Sequence, residues 1–195
     1  ARKIYEFNPY ATVELSEDGL TEGNLESFLH GNRKLSVLVE EMDNPYLKLK
    51  VRYRAREMGI PVIMGTDNGD GNIVDVERFD LDVNYPVLHG VLGNMKPEDL
   101  KNMPPKDLPK VAGKIAGANL VVPRMLDSVA EVGKSLYSWP QLGTAANLCG
   151  SVLAYLARRI ILADPKIKSG RYSVNPDAIF ESGYRWRWLS RKLAF

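Results

Sequence analysis

Leu35-Ser36-Val37-Leu38-Val39-Glu40-Glu41-Met42-Asp43-Asn44 is the stretch on which the fold turns. Its first five residues form an apolar run of strand length, and the run stops at acids. A cationic helical pattern follows over 46–58, through Lys48-Leu49-Lys50-Val51-Arg52-Tyr53-Arg54-Ala55-Arg56. A second apolar run comes next, Ile60-Pro61-Val62-Ile63-Met64-Gly65, with its strand over 61–65. Strand, helix and strand in that order predict a crossover between parallel strands. Acids at the carboxyl end of a parallel strand lie where open α/β sheets bind their ligands. Asp43 at that end is the candidate to hold a magnesium–nucleotide. A plainer reading is a solvated acid capping helix 46–58, since Asp and Asn favour caps.

Working outward, residues 1–7 are helix-like and Asn8-Pro9 ends them, because the residue before proline is pushed out of the α region. Residues 11–15 alternate as a strand. A short helix over 21–29 stops at His30-Gly31-Asn32. Ile73-Val74-Asp75-Val76-Glu77-Arg78-Phe79 predicts a half-exposed strand. Residues 94–110 hold four prolines among charges and read as short helices and turns. Residues 117–135 are helical by period. The strongest helix signal covers 140–162, whose broad apolar face includes Ala145, Cys149, Leu153 and Ile160. Residues 170–174 form a late strand, followed by the aromatic, basic tail Tyr184-Arg185-Trp186-Arg187-Trp188-Leu189.

The chain has 195 residues, 45% hydrophobic and 26% charged, which suits one sizeable soluble domain. A net charge of +2 argues against nucleic acid and against an anionic membrane surface as partners. The single cysteine excludes an internal disulfide framework and a cysteine-rich zinc site, and fits a cytoplasmic location. No apolar run approaches the ~20 residues of a membrane span, and no signal-peptide pattern opens the chain. The start at Ala1, within a helical pattern and without Met, reads as a cut from something longer.

These pieces, in this order, resemble the ThiF/MoeB superfamily, the adenylating domain of ubiquitin-activating-type enzymes. The residues that carry the resemblance are Phe7-Asn8-Pro9-Tyr10, then Glu40-Glu41-Met42-Asp43-Asn44 with Lys48 at the following basic place. Gly59-Ile60-Pro61-Val62-Ile63 and the small-residue helix Leu148-Cys149-Gly150-Ser151-Val152-Leu153-Ala154 complete it. The resemblance covers about 1–82 and 140–163. It implies an α/β, Rossmann-like, mainly parallel sheet flanked by helices, here lacking its first βα nucleotide-binding unit. It also implies a ThiF-like domain over 1–168, with a helical insert at about 94–135, and a strand and tail over 169–195. The implied activity is ATP-dependent adenylation of a carboxylate, such as a protein C-terminus, by a homodimer. ATP and magnesium are the implied cofactors, with Asp43, Asn44 and Lys48 beside the nucleotide and Asp43 on the metal. By the same resemblance, the glycine-rich loop and the phosphate-binding arginine and lysine fall upstream of Ala1. The sequence departs from the family at Glu40, where the first Asp stands, and at Met42, where Thr stands, and it has no catalytic cysteine after the Gly-Ile-Pro strand. These departures keep a second expectation open, a non-catalytic ThiF-like scaffold or dimerisation domain. The stretches 121–128 and 138–141 resemble ThiF-type domains joined to a nitroreductase-like domain. A third expectation is a fold-only likeness with some other nucleotide or dinucleotide ligand.

Other motifs read more simply. Residues 66–77 imitate a calcium loop, but Thr66 stands at the first ligand place and strands flank it, so a tight acidic turn is expected. Gly133-Lys134-Ser135 is half a P-loop, and Gly133 reads as a helix C-cap. Cys149 reads as packing. His30 and His89 are lone histidines, which make no metal site. Arg52, Arg54 and Arg56 read as a solvated helix face, and Trp186 and Trp188 as a packing or interface pair.

Overall fold

The computed structural model describes residues 1–104, 106–138 and 140–184. The chain divides into two compact units, Ala1–Lys34 and the residues from Leu35 onward. The first holds helices α1 (Arg2–Phe7) and α2 (Leu25–His30). The Asn8 side chain accepts the Tyr10 amide at 3.1 Å, which shapes the Asn-Pro turn. Asn24 ties the approach to α2 together, accepting from the Thr21 amide and donating to the Gly19 carbonyl. Leu25 and Leu29 are buried, while Phe7 and Tyr10 are almost fully exposed. The strand expected over 11–15 is absent; those residues run without regular structure.

The second unit is built on a four-stranded sheet in the order β1 (Leu38–Val39), β2 (Val62–Asn68), β3 (Gly71–Glu77), β4 (Gly170–Val174). Around it lie α3 (Pro45–Glu57), α4 (Pro97–Lys101), α5 (Leu108–Ala116), α6 (Pro123–Ala130), α7 (Gly143–Ile161) and α8 (Asp177–Phe180). Only β1 and β2 are parallel, whereas β2–β3 and β3–β4 are antiparallel. This corrects the expected Rossmann-like, mainly parallel sheet. The physical reason lies at Gly69-Asp70. Asn68 pairs with Gly71, so two residues close the loop, whereas parallel strands need a crossover of a dozen or more. Gly69 has φ +67°, and a glycine with positive φ at the first loop position gives the primed turn that matches strand twist. Residues 66–77 are therefore a hairpin, not a calcium loop.

The connection from β1 to β2 does run through a helix. Asn44 caps α3 by accepting the Leu47 amide at 3.1 Å, and Pro45 occupies the first turn, where its missing N–H costs nothing. The helix closes with Gly59 at φ +60° and bonds from Gly59 N to Arg56 O and from Ile60 N to Ala55 O. That is the Schellman arrangement, with buried Ile60 as its apolar anchor.

Side chains alternate across β3. Val74 and Val76 join Ile63 of β2 against Cys149, Leu153 and Ile160 of α7. Ile73, on the other face, packs with Val121 and Met125. Every residue of β3 is buried, which corrects the expected half-exposed strand. Gly65 lets α7 approach the sheet: a Cβ built there would collide with Cys149 Sγ and lie 3.3 Å from Leu153 Cδ1. Gly65→Ala is expected to cost about 1–3 kcal/mol by overpacking, with most of that recovered by adding Cys149→Ala. Urea unfolding of the single and double variants checks this, and an additive double variant would overturn the contact as the cause.

The helical period expected over 117–135 is broken. Gly117 at φ +76° and Pro123 interrupt it, leaving a 3-10 turn at Ala118–Leu120 and then α6. Gly133 turns the chain at φ +82°, and Lys134 pairs with Glu131, so the half P-loop is a turn. Arg185, Trp186, Arg187 and Trp188 lie outside the described residues. Among the described residues, no helix is long and apolar enough to cross a membrane.

Candidate functional site at the carboxyl end of β1

The last ladder bond of β1 runs from Glu40 N to Ile63 O. Beyond it, the Glu41 carboxylate takes over the role of a backbone partner and accepts the Gly65 amide at 2.8 Å. Desolvation pushes the Glu41 carboxyl above its ordinary range, although the Gly65 bond pulls it down. Asp43 and Asn44 follow, both exposed, on the turn into α3. Asn44 is engaged as the helix cap. The Asp43 carboxylate has no partner among the described residues and lies three residues beyond the last ladder bond of the parallel β1–β2 pair.

Lys48, the third expected site residue, points elsewhere. Its Nζ donates to both oxygens of Glu40, at 2.8 and 3.0 Å, and touches Met64 Sδ at 3.3 Å. One turn on, Arg52 is wholly buried. It donates to Glu40, to Glu77 Oε2 at 2.8 Å and to the Lys48 carbonyl at 3.1 Å. Burial opposes the charge on Arg52, but Glu77 and Glu40 outweigh it and hold the guanidinium above its ordinary pKa. Arg52 therefore does not share the solvated face expected of it with Arg54 and Arg56. Two carboxylates face two cations here, the balance that buried ions require.

Glu40 also reaches back toward the exposed turn. Its Oε1 accepts the Met42 amide at 2.6 Å, so the residue beside Asp43 is tied to a carboxylate that is itself only 1% exposed.

The polar chain continues along β3. Glu77 Oε1 accepts the Leu88 amide at 2.6 Å. Leu88 and His89 both have positive φ, 49° and 55°, an uncommon region for bulky side chains. His89 Nε2 lies 2.9 Å from Asp75 Oδ1, and its Nδ1 lies 2.9 Å from the Tyr85 hydroxyl. Burial raises the Asp75 carboxyl, but Arg171 and His89 together bring it below its ordinary value. Asp75 is thus an ionised acceptor, and His89 Nε2 donates to it. Arg171 grips Asp75 with two bonds, at 2.6 and 2.7 Å, and caps the Ile115 carbonyl at 2.6 Å.

The sequence held one signal for this second cluster: Asp75 and Glu77 recur at a spacing of two among apolar residues. That puts two acids on one face of a strand, and if helices cover the face each acid needs a cation. The partners, Arg52 and Arg171, come from distant segments. Among the described residues, no group of three His, Cys, Asp or Glu side chains is placed to hold a metal. Cys149 is buried, and desolvation first, then Glu41 and Asp67, pushes its thiol up to about 11, which makes it inert packing.

A magnesium ion bound with nucleotide needs few protein ligands, since it keeps several waters and leans on phosphate oxygens. Asp43 fits that requirement as a single free carboxylate. Lys48 does not fit as a phosphate ligand while Glu40 holds it on both oxygens.

No family model matches the chain, and no solved structure matches it. It is similar to an uncharacterized protein of Mycobacterium tuberculosis (strain CDC 1551 / Oshkosh), 34% identical over 181 residues that make up 93% of this chain. The chain spans 24% of the length of that relative.

Proposed function

We propose that this chain forms part of an ATP-dependent adenylating domain of the ThiF type that acts on a carboxylate, such as a protein C-terminus. One observation carries the reading. Asp43 presents a free carboxylate at the carboxyl end of a strand that runs parallel to its neighbour, directly before a capped helix. Open parallel α/β sheets place ligands at that end of a strand, and β1–β2 is the one parallel pair of this sheet. Magnesium, when bound with nucleotide, would supply charge neutralisation at the phosphates. Asp43 would hold and orient it, Asn44 would fix the helix start behind it, and the Glu40–Lys48 pair would keep the turn in place.

A second reading has its own support. Lys48, Arg52 and Arg171 are all consumed by internal carboxylates. A domain whose buried cations serve only its own frame fits a non-catalytic ThiF-like scaffold within a longer protein. Calorimetric titration of the full-length protein with Mg-ATP separates the two. Asp43→Ala is expected to weaken binding about tenfold or more, equivalent to ~1.4 kcal/mol. Absence of binding, or binding indifferent to Asp43, would leave the scaffold reading.

A further inference from the structure

We infer that the α3–α4 face docks the acidic first unit of a second copy of this chain, each copy giving and receiving one such contact. The inference stands apart from the reading of Asp43. Two tyrosines of α3 anchor the face, and each gathers two cations. Lys50 Nζ and Lys101 Nζ both lie 5.2 Å from the Tyr46 ring centre. The Arg56 guanidinium carbon and Lys96 Nζ both lie 5.1 Å from the Tyr53 ring centre. A ring face attracts a cation through its quadrupole, so four long basic side chains are collected on one surface. The Tyr53 hydroxyl donates to the Met95 carbonyl at 3.1 Å, which ties the approach to α4 onto α3. The acids nearby have local roles. Glu57 answers Arg54 at 2.8 Å. Glu98 and Asp99 lie in the first turn of α4, where the helix dipole favours them, and Asp99 accepts the Lys96 amide at 2.7 Å.

The complementary surface lies in the first unit. No Lys or Arg occurs between Lys3 and Arg33, while Glu14, Glu17, Asp18, Glu22 and Glu26 fall in that stretch, and all five are exposed. They sit on a braced support: Ser16 Oγ donates to the Gly19 carbonyl at 2.8 Å, and Asn24 Nδ2 donates to Ser16 Oγ at 3.2 Å. One exposed ion pair contributes little, but a basic cluster that meets an acidic one selects the partner and fixes the register. Each copy carries both surfaces. A two-fold axis therefore lets the basic face of each copy meet the acidic unit of the other, and the assembly closes as a dimer.

The test is carbodiimide coupling of carboxylates to lysines in a mixture of isotope-labelled and unlabelled full-length protein, with the linked peptides read by mass spectrometry. The expected links join Lys50, Lys96 or Lys101 to residues 14–26, and they pair a labelled peptide with an unlabelled one. Their yield should fall roughly tenfold at ~1 M salt, where the screening length is only ~3 Å. Lys96→Glu with Lys101→Glu should abolish them, and so should Glu17→Lys with Asp18→Lys; all four side chains are exposed, and circular dichroism checks that each variant folds. When the two variants are mixed, each presents the charge that the other requires, and links between them should return. Links confined to peptides of one label would place the contact within a single chain and overturn the inference. So would the absence of links in the wild type, links that survive charge reversal, or mixed variants that fail to couple.

Discussion

Arg52→Met is expected to destabilise the protein by about 3–5 kcal/mol, the usual cost of removing one partner from a buried ion pair. Methionine replaces most of the aliphatic stem, so the loss comes from charge, not from a cavity. Glu77 would keep only the Leu88 amide as a partner. Glu40 would keep Lys48 and the Met42 amide. Two buried carboxylates would then face one cation. For a domain of this size the midpoint of thermal unfolding should fall by roughly 6–20 °C. Adding Glu77→Gln to Arg52→Met removes the stranded charge and should return part of the loss. Urea unfolding of the wild type and both variants checks it. A loss under about 1 kcal/mol for Arg52→Met would mean that the carboxylates reach solvent in solution.

Asp75→Asn is the second large effect. The change is nearly isosteric, but it strips the charge that answers Arg171 and orders His89. Arg171 would keep the Ile115 carbonyl as an acceptor and no carboxylate. The expected loss is again about 3–5 kcal/mol at neutral pH. The pH dependence has a definite sign. Asp75 is more acidic in the fold than its ordinary value of 3.8. The stability it contributes is therefore present above that value and lost as pH falls through the lower, folded pKa. Wild type and Asp75→Asn should differ most at pH 7 and converge below pH 3.8. Urea unfolding at several pH values tests this, and a difference that stays constant into acid would show that another group governs the loss.

Both effects reside in residues that the sequence leaves ambiguous, and the ambiguity has a physical origin. Helix α3 was legible because its signals are local: Asn44 and Pro45 at one end, Gly59 at the other. Helix α7 was legible from the spacing of Ala145, Cys149 and Leu153. Strands β2 and β3 were legible as apolar runs, but their relative direction depended on two residues, Gly69 and Asp70, among several acids. Arg52 lies between half-buried Lys50 and Arg54 in a cationic helix, and nothing within the helix distinguishes it from Arg54 or Arg56. What sets it apart is Glu77, brought across by the sheet. The same holds for His89, a lone histidine in sequence whose partners Asp75 and Tyr85 appear only when the Leu88–His89 turn folds onto β3. The cap expected at Asp43 falls one residue later, on Asn44, whose side chain accepts the Leu47 amide. The inward turn of Lys48 was not legible, because it depends on Glu40 being buried.

The sheet also carries a consequence for how this region can vary in length. Its hairpin closes across two residues, while the β3–β4 seam joins Asp75 to Arg171, partners 96 positions apart. Closing so long a loop is entropically expensive at the outset yet nearly insensitive to further growth, since doubling it adds only ~0.6 kcal/mol. Insertions and deletions between β3 and β4, on the surface turns away from α7 and from the Leu88–His89 turn, are therefore cheap in evolution. The two-residue hairpin is held more tightly: a residue added there must be taken up in the loop, since a slip in the register of β3 would turn Asp75 and Glu77 away from their cations.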